Sequence, residues 1–270
     1  MRDAQSVQAR GRRRVAKVPE KITVYFWMIK LLTTAMGEAL SDFLVHHMNP
    51  YLAVVMGAAV FAMAILLQFR SRRYAAPTYW FAVAMVAVFG TMAADATHVV
   101  LGVPYLYSTV AFAIILAAVF FLWWAAEGTL SIHSIYTRRR EMFYWAAVLS
   151  TFAMGTAAGD MTAATLHLGY LLSGLLFAAL FAIPGVLYFR VRMNAVLAFW
   201  IAYVLTRPLG ASFADWFGMP QIIGGLGYGH APVAMILAAA IVILVAFVTV
   251  TRMDVKRPSI RLRGDSHGGP

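Results

Sequence analysis

The sequence predicts an all-α protein, a polytopic membrane bundle of eight transmembrane helices built as four parallel helix-hairpin repeats with both termini cytoplasmic. Three observations predict it. Of 270 residues, 62% are hydrophobic and mean hydropathy is +0.75, where soluble domains sit near ~45–50% apolar. The excess falls in blocks such as YLAVVMGAAVFAMAILLQF (51–69) and APVAMILAAAIVILVAFVTV (231–250), each close to the ~20 residues a helix needs to cross a bilayer. Basic residues are segregated to one side of those blocks, and a spaced Trp–Gly–Asp pattern recurs four times.

The formal charge of +11 raises nucleic acid as a partner, and its placement argues against one. Twenty of the 22 Lys and Arg lie in five segments: 1–21, RSRR (70–73), RRR (138–140), RVR (190–192) and 252–263. The intervening connections HHMNP (46–50), HVVLGVPY (98–105), HLGY (167–170) and FGMPQIIGGLGYGHAP (217–232) carry none. That asymmetry is the positive-inside signal. It puts both ends and the basic loops in the cytoplasm, requires an even number of crossings, and makes the lipid bilayer the partner. MRDAQSVQARGRRRVAKVPEK is too polar for too long to be a cleaved secretory signal. The chain therefore divides into an unstructured basic tail (1–20), one transmembrane domain (21–251) with repeats 21–74, 75–138, 139–192 and 193–251, and a second basic tail (252–270). Zero cysteines exclude disulfides, thiolate metal sites and cysteine nucleophiles.

Eight spans are expected at 22–45, 50–69, 78–101, 105–128, 142–166, 169–189, 195–217 and 231–250. In the odd-numbered spans, W-x9-G-x4-D occurs without gaps as Trp27–Gly37–Asp42, Trp80–Gly90–Asp95, Trp145–Gly155–Asp160 and Trp200–Gly210–Asp215. Each copy follows a basic segment and precedes a second apolar span, so the unit is a two-helix hairpin repeated in one orientation, as in parallel-repeat transporters. The tryptophans read as interfacial anchors. Gly37, Gly90, Gly155 and Gly210 read as sites of close backbone approach. In span seven, Pro208 followed by Gly210 predicts a kink or break. In span one, Lys30, Thr34, Glu38 and Asp42 step by four and share a face. That face suits an aqueous path or an internal Lys–Glu pair.

WMIKLLTTAMGEALSD (27–42), the four G-x4-D sites and TRPLGASFAD (206–215) resemble a group of bacterial membrane-anchored integral membrane proteins built from a repeat of unknown function. The resemblance covers about 20–250. It implies the bacterial inner membrane and a helical-repeat fold, and it brings little chemistry.

Chemistry rests on the acids. Asp lies five residues past each Gly, about 7 Å along a helix, so the four aspartates share one depth. The spans hold six acids, Glu38, Asp42, Asp95, Glu127, Asp160 and Asp215, against two bases, Lys30 and Arg207. Intramembrane charge is costly unless paired or wet, and close carboxylates repel. Lys30 and Arg207 are the expected charge partners, and protons or a bound cation must supply the balance. Glu38, Asp42, Asp95, Asp160 and Asp215 are the candidate ion or substrate path. Asp95 and His98, three apart on one face, are a candidate metal pair for Mn²⁺, Mg²⁺ or Zn²⁺, and carboxylate with imidazole does not suit Cu(I). No G-x-S-x-G, H-E-x-x-H, P-loop or Rossmann fingerprint is present, so no enzyme and no cofactor is expected. The expected function is a small cation transporter or permeation protein, with proton coupling and a homo-oligomer both compatible. The alternative is a non-transporting scaffold or sensor whose polar core is structural.

Overall fold

The computed structural model describes residues 16–99 and 101–255, so most of both predicted basic tails lies outside the described residues. Eight long helices and no strand occur among these: α1 (Val24–His47), α2 (Pro50–Arg70), α3 (Ala76–Val99), α4 (Tyr105–Glu127), α5 (Arg138–Asp160), α6 (Gly169–Val191), α7 (Ala195–Gly218) and α8 (His230–Thr251). Six of the eight are long and apolar enough to cross a membrane; α1 and α5 fall short. The former carries Lys30, Glu38 and Asp42, and the latter opens on Arg138, Arg139, Arg140 and Glu141.

Local chemistry sets the helix starts. Thr23 Oγ1 accepts from the Phe26 amide, Asn49 Oδ1 from Tyr51 and Leu52, Thr137 Oγ1 from Arg140, and Asn194 Oδ1 from Val196 and Leu197. Each satisfies an amide that the first helical turn leaves unpaired. At the other end, α4 stops where Gly128 turns left-handed at φ 67°, a conformation open to glycine without a Cβ penalty.

The odd and even helices separate into two shells. α1 touches α3, α3 touches α5, α5 touches α7, and α7 closes back on α1. Their buried faces are small and apolar, as in Ala82, Val83, Val86 and Ala87 of α3. The even helices wrap outside and present large apolar residues such as Ile114, Phe121, Val186, Phe189, Ile243 and Val250 to the surroundings. Exposed aliphatic surface on this scale is disfavoured in water and suits lipid. Each even helix packs chiefly on the next odd helix rather than on its own hairpin mate: α2 on α3, α4 on α5, α6 on α7, and α8 back on α1. The ring is thus closed by the last helix embracing the first.

The repeat glycines are the joints of that ring. A Cβ on Gly37 would strike Ala87, one on Gly90 would lie 2.8 Å from Phe152 Cβ, one on Gly155 2.6 Å from Arg207 Cβ, and one on Gly210 2.9 Å from the Ala35 nitrogen, beside Thr34. The struck residues Ala87, Phe152, Arg207 and Thr34 occupy the same place in their repeats, three before the glycine. One contact is therefore used four times around the axis.

Two expectations are corrected. α7 stays helical through Pro208 and Gly210, so it does not break there; Pro208 packs against Gly159 of α5, whose Cβ would lie 3.7 Å away. An irregular turn follows α5 instead, where Met161–Thr165 widens into a π-turn directly after Asp160. The tryptophans are not all interfacial anchors: Trp80, Trp145 and Trp200 are buried among Tyr79, Tyr144 and Tyr203, and Trp27 is half-buried. Trp200 also donates to the Leu130 carbonyl at 2.9 Å. Aromatic packing outweighs the preference for the lipid interface here because the ring of odd helices leaves these positions inside.

The tail boundary moves as well. Residues from Ala16 onward form a strap across the basic end of the bundle. Lys17 Nζ donates to the Ser71 carbonyl at 2.5 Å and pairs with Glu141 at 3.3 Å; Gln68 donates to Glu141 and to the Lys17 carbonyl. Val18 is buried in the core. The Glu20 and Lys21 amides donate to the Asp254 carbonyl at 3.0 Å, and the Tyr74 hydroxyl donates to the Asp254 carboxylate. Burial pushes the Asp254 carboxyl above the ordinary carboxylate range, against the opposing hydrogen bond from Tyr74. A raised folded-state value makes the proton bind more tightly in the folded chain, so stability falls as pH rises through that value. Asp254→Asn keeps an acceptor for Tyr74 without the buried charge. It should match or exceed the wild-type melting temperature at pH 7 and lose that advantage near pH 4 in detergent-solubilised protein.

Candidate functional site

Three levels of side chains follow one another along the ring axis from the basic end. The first is aromatic: Tyr79 and Tyr144 hydroxyls lie 2.5 Å apart, with Tyr203, Trp80, Trp145 and Trp200 packed around them. Lys30 reaches into this layer. Its ammonium is 4.0 Å from the centre of the Phe152 ring and 4.2 Å from that of Tyr203, is 1% exposed, and has no hydrogen-bond partner. The expectation of a Lys30–acid pair is corrected: no ion pair to Lys30 occurs among the described residues. Eight residues separate Lys30 from Glu38, about 12 Å along a helix, and the gap is filled by Phe152, which has Lys30 at its face and the Arg207 guanidinium 5.7 Å from its centre. In place of a counter-ion the nitrogen meets two aromatic faces, over which a protonated amine gains cation–π attraction.

The second level is a charged knot on the axis. Arg207 Nη2 has three acceptors within reach of its two hydrogens, Glu38 Oε2, Thr91 Oγ1 at 2.5 Å and Thr156 Oγ1 at 2.8 Å, so one N–H is shared. Glu38, Thr91 and Thr156 each follow a repeat glycine directly; Ala211 is the fourth residue of the set. One guanidinium nitrogen from the fourth repeat is therefore held by the equivalent residue of the other three. The threonines are oriented for it. Each hydroxyl donates to the carbonyl four residues earlier, Thr91 to Ala87 and Thr156 to Phe152, both at 2.9 Å, which turns oxygen lone pairs toward Arg207. Thr91 and Thr156 are site residues that lie outside the Trp–Gly–Asp signature of the repeat. Comparing the four copies one residue past the glycine, as GE, GT, GT and GA, was the available signal.

The third level is acidic. One carboxylate oxygen from each of Glu38, Asp160 and Asp215 lies within 4.8 Å of the others. Asp215 is 6% exposed and its Oδ1 has no hydrogen-bond partner. At that spacing each pair of ionised carboxylates repels by about 3 kcal/mol at an effective dielectric of ~20. The trio thus favours a cation or protons, and Arg207 supplies one positive charge at its edge. Asp42 diverges from the trio toward His230, the first residue of α8, at 3.4 Å, and the His46 ring stacks parallel to His230 with centroids 6.2 Å apart. Asp95 stands outside the trio. Its expected metal partner His98 is engaged elsewhere: Nδ1 lies 3.0 Å from the Val103 carbonyl, Nε2 lies 3.4 Å from Ser108 Oγ, and the ring lies against Tyr105. Asp42, Asp95 and Asp160 are half-buried, unlike Lys30 and Arg207, which are sealed in. Glu127, counted among the intramembrane acids, pairs with Arg139 and Arg140 at the basic end.

The large grooves are elsewhere. Three, of about 650 to 670 Å³, run along outer faces of the bundle, are lined mainly by apolar residues and include none of the acids.

A closed ring of helical repeats with lipid-compatible outer helices and ionisable groups converging on the axis defines an integral membrane protein of the internal-repeat class. The family model described as Repeat of Unknown Function (DUF347) matches at residues 25–74, 78–129, 143–194 and 198–254, and the chain belongs to that family. No curated protein and no solved structure matches the chain.

Proposed function

We propose that the protein crosses the bacterial inner membrane eight times, with the basic end and both termini in the cytoplasm, and carries a small cation through the axis of the odd-helix ring. The observation that supports this reading most is the convergence of Glu38, Asp160 and Asp215, from three different repeats, within 4.8 Å of one another. Three oxygen donors suit a proton or a hard divalent ion such as Mn²⁺ or Mg²⁺. The half-buried state of Asp42, Asp95 and Asp160 supports access from the end opposite the basic loops. The aromatic layer and the strap at Val18 support a closed cytoplasmic side. That combination suits a carrier opened to one side at a time, with Asp42 and His230 at its entrance.

Full burial of Arg207 and its three partners favours a second reading, a scaffold or sensor whose polar knot only fixes helix packing. Ion flux into proteoliposomes separates the two. Asp160→Asn and Asp42→Asn should abolish or strongly reduce flux in protein that remains folded and monodisperse. Flux absent from the wild type, or unchanged in both folded variants, would reject the carrier reading.

A further inference from the structure

We propose that Arg207 is a tethered competitor for the carboxylate the cation needs: cation binding at Glu38, Asp160 and Asp215 and the Arg207–Glu38 pair exclude one another. This rests on the carrier reading and adds the residue that sets its affinity and links occupancy to helix movement.

Four observations carry it. Arg207 replaces residues that cannot compete, since the equivalent positions hold Thr34, Ala87 and Phe152. One guanidinium on the axis therefore breaks an otherwise repeated arrangement. Glu38 is shared, because it accepts from Arg207 Nη2 and also belongs to the carboxylate trio. A cation drawing on Glu38 and a guanidinium holding it need the same negative charge, and two positive charges at one carboxylate repel. The guanidinium is also unevenly held: Nη2 has three partners, whereas Nε and Nη1 are buried and have none. Buried donors without acceptors are costly, so the pose lacks the full set of bonds that would make it permanent. Finally, Nη2 is where α1, α3, α5 and α7 are tied together, through Glu38, Thr91, Thr156 and Arg207 itself. Releasing Arg207 from Glu38 loosens the ring at its centre, and the cation's departure restores the tie. An internal cation returning to the site also keeps the empty carboxylates from repelling one another.

The test is thermal unfolding of the full-length protein in detergent, titrated with Mn²⁺, Mg²⁺ or Zn²⁺, each alone, at fixed pH. The wild type should show a saturable stabilisation that Asp160→Asn removes. Arg207→Gln should start from a lower melting temperature and reach half-saturation at a cation concentration at least tenfold lower than the wild type. Thr91→Val with Thr156→Val keeps the charge and leaves the guanidinium to Glu38 alone; its midpoint should rise, and it decides the question if Arg207→Gln fails to fold. A wild-type shift that Asp160→Asn abolishes, with the midpoint unchanged or raised in Arg207→Gln, or unchanged or lowered in the threonine variant, would overturn the competition and leave the carrier reading standing. No shift in any of these proteins would remove both. A purely structural Arg207 would lower the melting temperature without moving the midpoint.

Discussion

Replacing Glu38 by Ala is expected to destabilise the protein by about 3–5 kcal/mol, the largest single-residue effect in the bundle, because removing one partner of a buried ion pair strands the other charge. Arg207 is 1% exposed and Glu38 is 4% exposed, and no other acid pairs with Arg207 among the described residues. The guanidinium would keep its bonds to Thr91 and Thr156 without a neutralising charge. Those two bonds set the scale for comparison: Thr91→Val or Thr156→Val should cost about 1–3 kcal/mol each. Denaturant unfolding in mixed micelles measures all three. The pair replacement Glu38→Met with Arg207→Leu is the informative control. Buried ion pairs exchanged together for apolar residues are often neutral or stabilising, so the double variant should recover most of the loss. A double variant as unstable as Glu38→Ala alone would show that the cost lies in packing rather than in charge.

Gly37→Val is expected to be nearly as damaging. The joint between α1 and α3 at this point is backbone on backbone: a Cβ at Gly37 would fall 2.8 Å from the Ala87 carbonyl carbon, and a helix backbone cannot swing aside as a side chain can. Overpacking costs typically about 1–3 kcal/mol where neighbours relax, and this site should reach or exceed the top of that range. Gly90→Val should also be costly, since its nearest neighbour is the buried Phe152 Cβ at 2.8 Å, which is fixed to the α5 backbone. Gly185, with nothing within 4 Å of a built Cβ and an exposed place on α6, provides the opposite sign. Gly185→Ala should stabilise by up to about 1 kcal/mol through helix propensity. Size-exclusion profiles and melting temperatures of the three variants rank them directly. If Gly37→Val behaves like Gly185→Ala, the ring is not closed by glycine contacts.

The distribution of polar residues explains why this protein reads partly from its sequence. Long apolar blocks and clustered arginines act locally, through transfer to lipid and contact with headgroups, so they report helices and membrane insertion without knowledge of neighbours. The four-copy Trp–Gly–Asp spacing reports the repeat for the same reason. The assignments that failed depend on which residue a side chain meets across the ring. Lys30 reads as a partner for Glu38 on its own helix, yet Phe152 stands between the levels and Arg207 arrives from α7. Glu141 carries no assignment from its place beside Arg138, Arg139 and Arg140, and only the fold shows it buried with Lys17 and Gln68 as partners. His98 reads as a ligand beside Asp95, yet the Val103 carbonyl and Ser108 of α4 occupy it.

By itself the sequence determined an apolar chain of repeated hairpins, the segregation of its basic residues, and four aspartates at one position of the repeat. Only the tertiary structure decided that even helices pack on the following repeat, that α8 closes on α1, and that one arginine ties three repeats together at the axis. The physical reason is range. Hydropathy and helix periodicity are properties of neighbouring residues, whereas the pairing of Arg207 with Glu38 spans 169 positions and exists only after the ring has closed.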